Sequence, residues 1–258
     1  MSTRAVLACL VAPVLLAAAC SGPAASQPDP ARVLRDAGHA MAGLKSVKAD
    51  AKFGPGVSLQ GLTLTAASSS LQLPDQSDTT FKVKQGDFLV DVRVVTSGGH
   101  VYLRLPFSRF SELTPEQAAE IPNLARLFDP QTGLASVLAA GRSPSYQGGE
   151  KVANVGCDRV AATYTAAQVG QLLGVKPAGD VRATIWAGQS DHMVRRVTLS
   201  GPLLQAGKDV QVQVDLHDFN LPVTITPPPS VAPAPAAPAP AGTAPAGPAS
   251  APSPSPSG

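Results

Sequence analysis

Side-chain character that repeats at every second residue limits this chain more than any other feature of its sequence. Phe88, Val90, Val92 and Val94 alternate with Leu89, Asp91, Arg93 and Val95, the two-residue period of an extended strand with one face buried. Val101, Leu103 and Leu105 alternate with Tyr102 and Arg104, and Ser97-Gly98-Gly99 between the runs supplies a glycine pair for a tight hairpin. A turn that short joins only antiparallel neighbours, because a parallel pair needs a crossover of a dozen residues or more. The period changes to two from Ser46 onward, with Val57 to Leu73 and Thr79 to Lys84 as further strands. The first half therefore predicts an antiparallel meander.

Helical signals flank and interrupt it. Asp29-Pro30 fits a helix start, and Val33, Leu34, Ala37, Met41 and Leu44 then recur at three- and four-residue spacing, giving one apolar helix face. Between Pro106 and Gly141 the strand pattern stops. Thr114-Pro115-Glu116-Gln117 has the form of a cap, a first-turn proline and an acidic first turn, and Gly133 to Ala140 carries Leu134, Val137 and Leu138 at helical spacing. One or two strands follow in Val152 to Thr165, and a short helix fits Ala166 to Leu173. Val181 to Trp186, Met193 to Ser200 and Val210 to Phe219 close a second meander. In the last run Val210, Val212, Val214 and Leu216 face one way, and Gln211, Gln213, Asp215 and His217 the other.

The two ends of the chain are of another kind. Twelve of its 26 prolines fall between Pro227 and Pro256 among Ala, Ser and Gly, so the fold should end near Thr226 and residues 227–258 read as a disordered spacer. Arg4 followed by the apolar and small residues Ala5 to Ala19 reads as a signal peptide, residues 1–19. It ends in Leu16-Ala17-Ala18-Ala19-Cys20, which resembles a bacterial lipobox whose cysteine is acylated, although Ala17 stands where a leucine is usual. Ala17-x-Ala19 also fits ordinary signal peptidase, which would leave Cys20 unmodified. With Cys20 acylated, residues 20–28 become a lipidated tether and Cys157 has no partner, so it reads as a small buried hydrophobe. A single domain is left over residues 29–226.

Composition and motifs exclude several functions. A net charge of +2, with 15% charged residues, gives no footprint for nucleic acid. His39, His100, His192 and His217 lie in four separate elements without metal-ligand spacing, and no G-x-S-x-G elbow, S-x-x-K pair or phosphate loop occurs. No catalytic residue, metal or cofactor is expected. A sheet rich in Val, Leu and Ala and poor in aromatics can close over its apolar face without filling it, leaving room for acyl chains. An ordinary filled core gives the same periodicity, and a triad assembled only in three dimensions would leave no motif.

Several short blocks carry a resemblance. Leu127-Phe128-Asp129-Pro130-Gln131-Thr132-Gly133-Leu134-Ala135-Ser136-Val137-Leu138-Ala139 resembles a block of the LppX/LprA/LprF/LprG lipoproteins of mycobacteria and other actinobacteria. Met41 to Val47, Gly98 to Leu103, Asn154 to Val160 and Ala183 to Trp186 follow in the family's order, and Phe219 to Ile225 resembles its closing strand. Gly61 to Asp78 matches poorly, and the tail lies outside the family pattern.

The resemblance implies an α+β fold: a strongly curved antiparallel sheet, a half-barrel, with helices on the concave side enclosing an apolar cavity. It further implies an exported lipoprotein on the outer face of the plasma membrane that binds a lipid or acylated glycolipid and moves it within the envelope. Such a protein would be monomeric and would work with a membrane lipid transporter. Cavity-facing candidates are Phe88, Val90, Val92, Val94, Val101, Leu103, Ile185, Val197 and Leu199 from the strands, with Leu134, Val137 and Leu138 from the helical cover. Period two does not say which strand face lines the cavity. The other reading is a structural or interaction lipoprotein with a filled core and a wall-spanning tail.

Overall fold

The structure, a computed structural model, describes residues 27–59, 62–119, 121, 124–203 and 208–229. Residues 1–19, expected to be a signal peptide, Cys20 and the tail beyond residue 229 lie outside the described residues. Asp29 caps the first helix, α1 (Pro30–Ala42), its carboxylate accepting from the Ala31 N–H at 3.0 Å, with Pro30 in the first turn. Leu34, Ala37, Gly38 and Met41 form its buried face.

Next come β1 (Ser46–Phe53), β2 (Ser58–Leu59), β3 (Leu62–Gln72), β4 (Gln76–Gln85), β5 (Phe88–Ser97), β6 (His100–Arg104) and β7 (Ser111–Glu112). The helical interruption holds α2 (Pro115–Ala119), a 3-10 turn (Leu124–Phe128) and α3 (Leu134–Ala139). The second half is β8 (Arg142–Val152), β9 (Val155–Tyr164), α4 (Ala166–Leu173), β10 (Val181–Gly188), β11 (Val194–Gly201) and β12 (Val210–His217). One twelve-stranded sheet runs β7-β6-β5-β4-β3-β1-β12-β11-β10-β9-β8, with β2 beside β3 and every pair antiparallel. The sheet is open, with β7 and β8 at its edges. Strand β1 joins the two meanders, pairing β3 on one side and β12 on the other, Ala49 opposite both Ser69 and Leu216. The expected curved, unclosed antiparallel sheet with few helices is the fold observed.

The helices cover one face. Val90 and Val92 on β5, Phe81 and Val83 on β4, Val210, Val212, Val214 and Leu216 on β12 and Ile185 on β10 meet α1, α3 and α4 in one core. This fixes the face: Val90, Val92 and Val94 turn toward the helices, and Asp91, Arg93 and Val95 turn away. Helix α1 packs on α3 and lies over β8, β9 and β10.

On the outer face a second cluster joins Val95 and Tyr102 to Ile225, with Val223 and Phe110 against them. Phe219 to Ile225 is therefore not a closing strand. The last strand ends at His217, and the chain then turns at Asp218 and Asn220, both with positive φ, and crosses the outside of the sheet. Asn220 holds the turn: its side-chain oxygen accepts from the Lys45 N–H at 2.8 Å, and its own N–H donates to the Ser46 carbonyl at 2.9 Å. Cys157 is buried with Val152 and Trp186 on the outer face of the C-terminal meander. Burial pushes its thiol pKa up, so it behaves as a small hydrophobe.

Candidate functional site

The block Asp129 to Leu138 positions the cover over the sheet. One carboxylate oxygen of Asp129 accepts from the N–H groups of Gln131 and Thr132 at 2.9 and 2.7 Å and from the Thr132 hydroxyl at 2.9 Å, holding the carboxyl below the usual range. The chain reverses tightly there, since a Cβ at Gly133 would come within 2.5 Å of the carbonyl oxygens of both Leu127 and Asp129. Helix α3 then enters with Val137 and Leu138 buried, while the 3-10 turn before it buries Ala125 and Phe128.

Beside this cover lies a cavity of about 420 Å³, within the size range of small-ligand sites. Thr96, Gly99 and Val101 of the β5–β6 hairpin form one wall; Ala118, Ala119, Ile121, Leu124 and Leu127 form the cover; Leu172 and Leu173 at the end of α4 close the third side. Helix α4 is held by a reciprocal cap, the Thr165 hydroxyl accepting from the Gln168 N–H at 3.2 Å and the Gln168 side chain accepting from the Thr165 N–H at 2.8 Å. Its end, at Gly174, is in the left-handed conformation. Asp75, Thr96, Arg126 and Gln171 are the polar side chains of the lining. This arrangement offers aliphatic walls to a chain and a charged rim to a headgroup.

Of the residues nominated from sequence, Val101 lines this cavity. Val92, Val137, Leu138 and Ile185 are buried in the main core, and Val90, Leu103, Leu134, Val197 and Leu199 are partly buried against it. Val94 is buried on the same strand face. Phe88 departs from the expectation: it shares that face by alternation but lies beyond the cover and stands exposed. Ile121, Leu124, Leu172 and Leu173 also line the cavity, outside the strand alternation and the helical spacing from which cavity-facing residues were expected. A three-residue step from Leu124 to Leu127, suited to a 3-10 turn, and the paired leucines ending α4 were the available signals.

A shallower polar hollow of about 240 Å³ lies on the outer face, lined by Lys48, Asp50, Ser68, Asp78, Thr80, Arg93 and His217 among others. Asp50 accepts from the Ser68 hydroxyl at 2.7 Å and contacts His217 Nε2 at 3.1 Å, and the serine bond is the main cause that lowers its pKa. The carboxylate sits between serine and histidine, so the imidazole does not reach the hydroxyl and this is not a nucleophile with its base. Lys48 pairs with Asp218 at 2.8 Å, and the Arg93 Nε donates to Asp78 at 2.8 Å.

The model of the LppX_LprAFG lipoprotein family matches residues 29–225. The lipoarabinomannan carrier protein LprG of Mycolicibacterium hassiacum is 30% identical over 245 residues, 88% of this chain and 99% of the relative. The protein of that name from Mycobacterium tuberculosis H37Rv is 28% identical over 174 residues, 66% of this chain and 71% of the relative. Among solved structures, LprF from Mycobacterium bovis superposes with a TM-score of 0.64 at 19% identity, covering 79% of this chain and 99% of that one. LppX from Mycobacterium tuberculosis gives 0.56 at 20% identity, covering 78% and 100%. These two share the fold.

Proposed function

Because the chain belongs to the LppX_LprAFG lipoprotein family, we propose that it is a lipid carrier that holds a lipid or acylated glycolipid without making or breaking a bond. The observation that carries this reading is the cavity beside the β5–β6 hairpin, walled by Val101, Leu124, Leu127, Leu172 and Leu173. Acyl chains gain about 0.8 kcal/mol for each methylene taken out of water, whereas a sugar or phosphate buried without partners costs several. The chains therefore go inward, and the headgroup stays at the rim with Asp75, Arg126 and Gln171. The names of the LprG relatives support a lipoglycan as the ligand.

In this reading Cys20 is acylated after removal of residues 1–19, and the two-chain anchor holds the monomer on the outer face of the plasma membrane. Residues 20–28 tether the 29–226 domain, residues 227–258 act as a spacer, and a membrane lipid transporter is the partner that supplies or receives the ligand. Native mass spectrometry of protein purified from an actinobacterial host tests the core of it. A carrier retains a heterogeneous lipid mass. A protein that retains none is an interaction lipoprotein, the reading favoured by how fully Val92, Ile185 and Leu138 are covered by the protein's own side chains.

A further inference from the structure

Five large apolar side chains stand exposed among the described residues: Phe88 at 75%, Leu89 at 66%, Leu105 at 49%, Phe107 at 103% and Leu221 at 52%. Four of the five sit on two neighbouring hairpins, so this is a concentrated feature and not the scattered exposure ordinary surfaces show. Phe88 and Leu89 open β5 directly after the Gly86-Asp87 turn, opposite Gln85 and Lys84. Leu105 and Phe107 lie in the connection that leaves β6 at Arg104 and returns as β7 at Ser111. Strands β5 and β6 are paired with Arg93 opposite Arg104, so the β6–β7 connection leaves β6 level with the middle of β5 and heads toward the same end of the sheet as the β4–β5 turn. Phe107 has φ +59, an uncommon conformation for a bulky residue, and its ring is wholly in solvent.

The surrounding charge points to the occupant. Lys84 and Arg109 have no carboxylate partner among the described residues, and the Arg104 guanidinium lies 5.2 Å from the Phe110 ring. Lys82 and Asp91 cancel as a pair at 3.3 Å, which leaves Asp87 as the one uncompensated acid at the tips against three cations. Two projecting points with a few apolar side chains cannot provide the roughly 800 Å² per partner of a stable protein interface. They do suit a bilayer interface, where aromatic rings bury and cations meet lipid phosphates.

We propose that the β4–β5 and β6–β7 tips form a membrane-docking surface that inserts Phe88, Leu89 and Phe107 into the interface of an anionic bilayer, with Lys84 and Arg109 at the phosphate level. The inference rests on the carrier reading for its purpose. Asp75, Thr96 and Gly99, at the cavity, lie at the other end of the same strands. A ten-residue strand spans about 30 Å, so docking directs the cavity away from the bilayer, and the ligand is presented outward.

The test uses the chain from residue 20 onward with Cys20→Ala, which removes the acyl anchor, floated with vesicles of equal parts phosphatidylcholine and phosphatidylglycerol or of phosphatidylcholine alone. The starting protein should float with the mixed vesicles, and Phe88→Ser with Phe107→Ser should reduce its partition by about tenfold or more. Lys84→Gln with Arg109→Gln should reduce it on the mixed vesicles only and remove its salt dependence. All four substitutions are at exposed positions, and matched melting temperatures confirm that the variants fold. Failure of the starting protein to float, or equal flotation of the phenylalanine variant, overturns the proposal. So does a concentration-dependent dimer that the phenylalanine substitutions abolish, since the tips would then bind a second copy. Native mass spectrometry separates the two readings: protein that floats but carries no lipid upholds docking and overturns carriage, and protein that carries lipid but does not float does the reverse.

Discussion

A methyl group at Gly38 would come within 2.8 Å of the carbonyl oxygen of Ala135, so α1 and α3 touch backbone to backbone there. Alanine improves helix propensity by up to about 1 kcal/mol over glycine, but the neighbour is main chain and cannot swing aside, and overpacking costs about 1–3 kcal/mol. Gly38→Ala should therefore destabilise the protein by about 1–2 kcal/mol in urea unfolding; a stabilised variant would show that the helices have room to part. Asp129 acts by charge. Folding lowers its pKa through three hydrogen bonds from the turn, so its contribution is complete above the ordinary carboxylate range and is lost as pH falls through the folded value. Asp129→Asn keeps an acceptor but loses the charge, and it should melt below the wild type at neutral pH. The gap should begin to narrow as pH falls through about 4, the ordinary carboxylate value, and close only below the lowered folded value, and melting curves across pH check it. The resemblance named Asp129 and Gly133 as part of a block; the structure shows that the block is a turn that launches α3.

Elements with local signals were legible in the sequence. Asp29-Pro30 and the three- and four-residue spacing that follows place α1, and the helix expected over Ala166–Leu173 is α4, whose reciprocal cap of Thr165 and Gln168 comes from the structure. Alternation likewise gave β5, β6 and β12. Strand β8 gave no such signal: it is an edge strand, mostly exposed, with Pro144 and a glycine pair inside it, and an edge needs neither alternation nor every N–H. Strand β1 lacks large side chains because Ala49 and Ala51 stand where alternation would place them. The segment after His217 has the composition of a strand but crosses the outer face instead, because Val223 and Ile225 find Val95 and Tyr102 there. Ile225→Ala should consequently cost about 2–4 kcal/mol, with a lower urea midpoint as the readout; an unchanged midpoint would mean the crossing adds no stability. Thr165→Ala should cost about 1 kcal/mol and speed amide hydrogen exchange within α4 while the exchange of β9 stays as it was.

At the scale of the whole molecule the question is where an open sheet of twelve strands leaves room. Two meanders joined by the β1–β12 pair bend around α1, α3 and α4, and most of the concave face is filled by these helices. Space is left where the cover is poorest in large side chains, at Ala118 and Ala119 beside the β5–β6 hairpin. Sequence periodicity could not find that place, because Val92 and Val101 alternate alike while one meets helices and the other a cavity. Tryptophan substitution separates them. At Val101 an indole takes up part of the 420 Å³ without displacing packed neighbours, so delipidated Val101→Trp should melt within about 2 °C of the wild type, a stability change of less than about 0.5 kcal/mol. Its extractable lipid should fall, because the ring lies where an acyl chain would run. At Val92 the same ring enters a closed core, and Val92→Trp should lose about 1–3 kcal/mol. The measurement pairs the melting temperature of delipidated protein with lipid extracted from the same preparation made in an actinobacterial host. Full lipid content in Val101→Trp would place the chains elsewhere in the fold, and a loss of stability there as large as at Val92 would show that the cavity closes in solution.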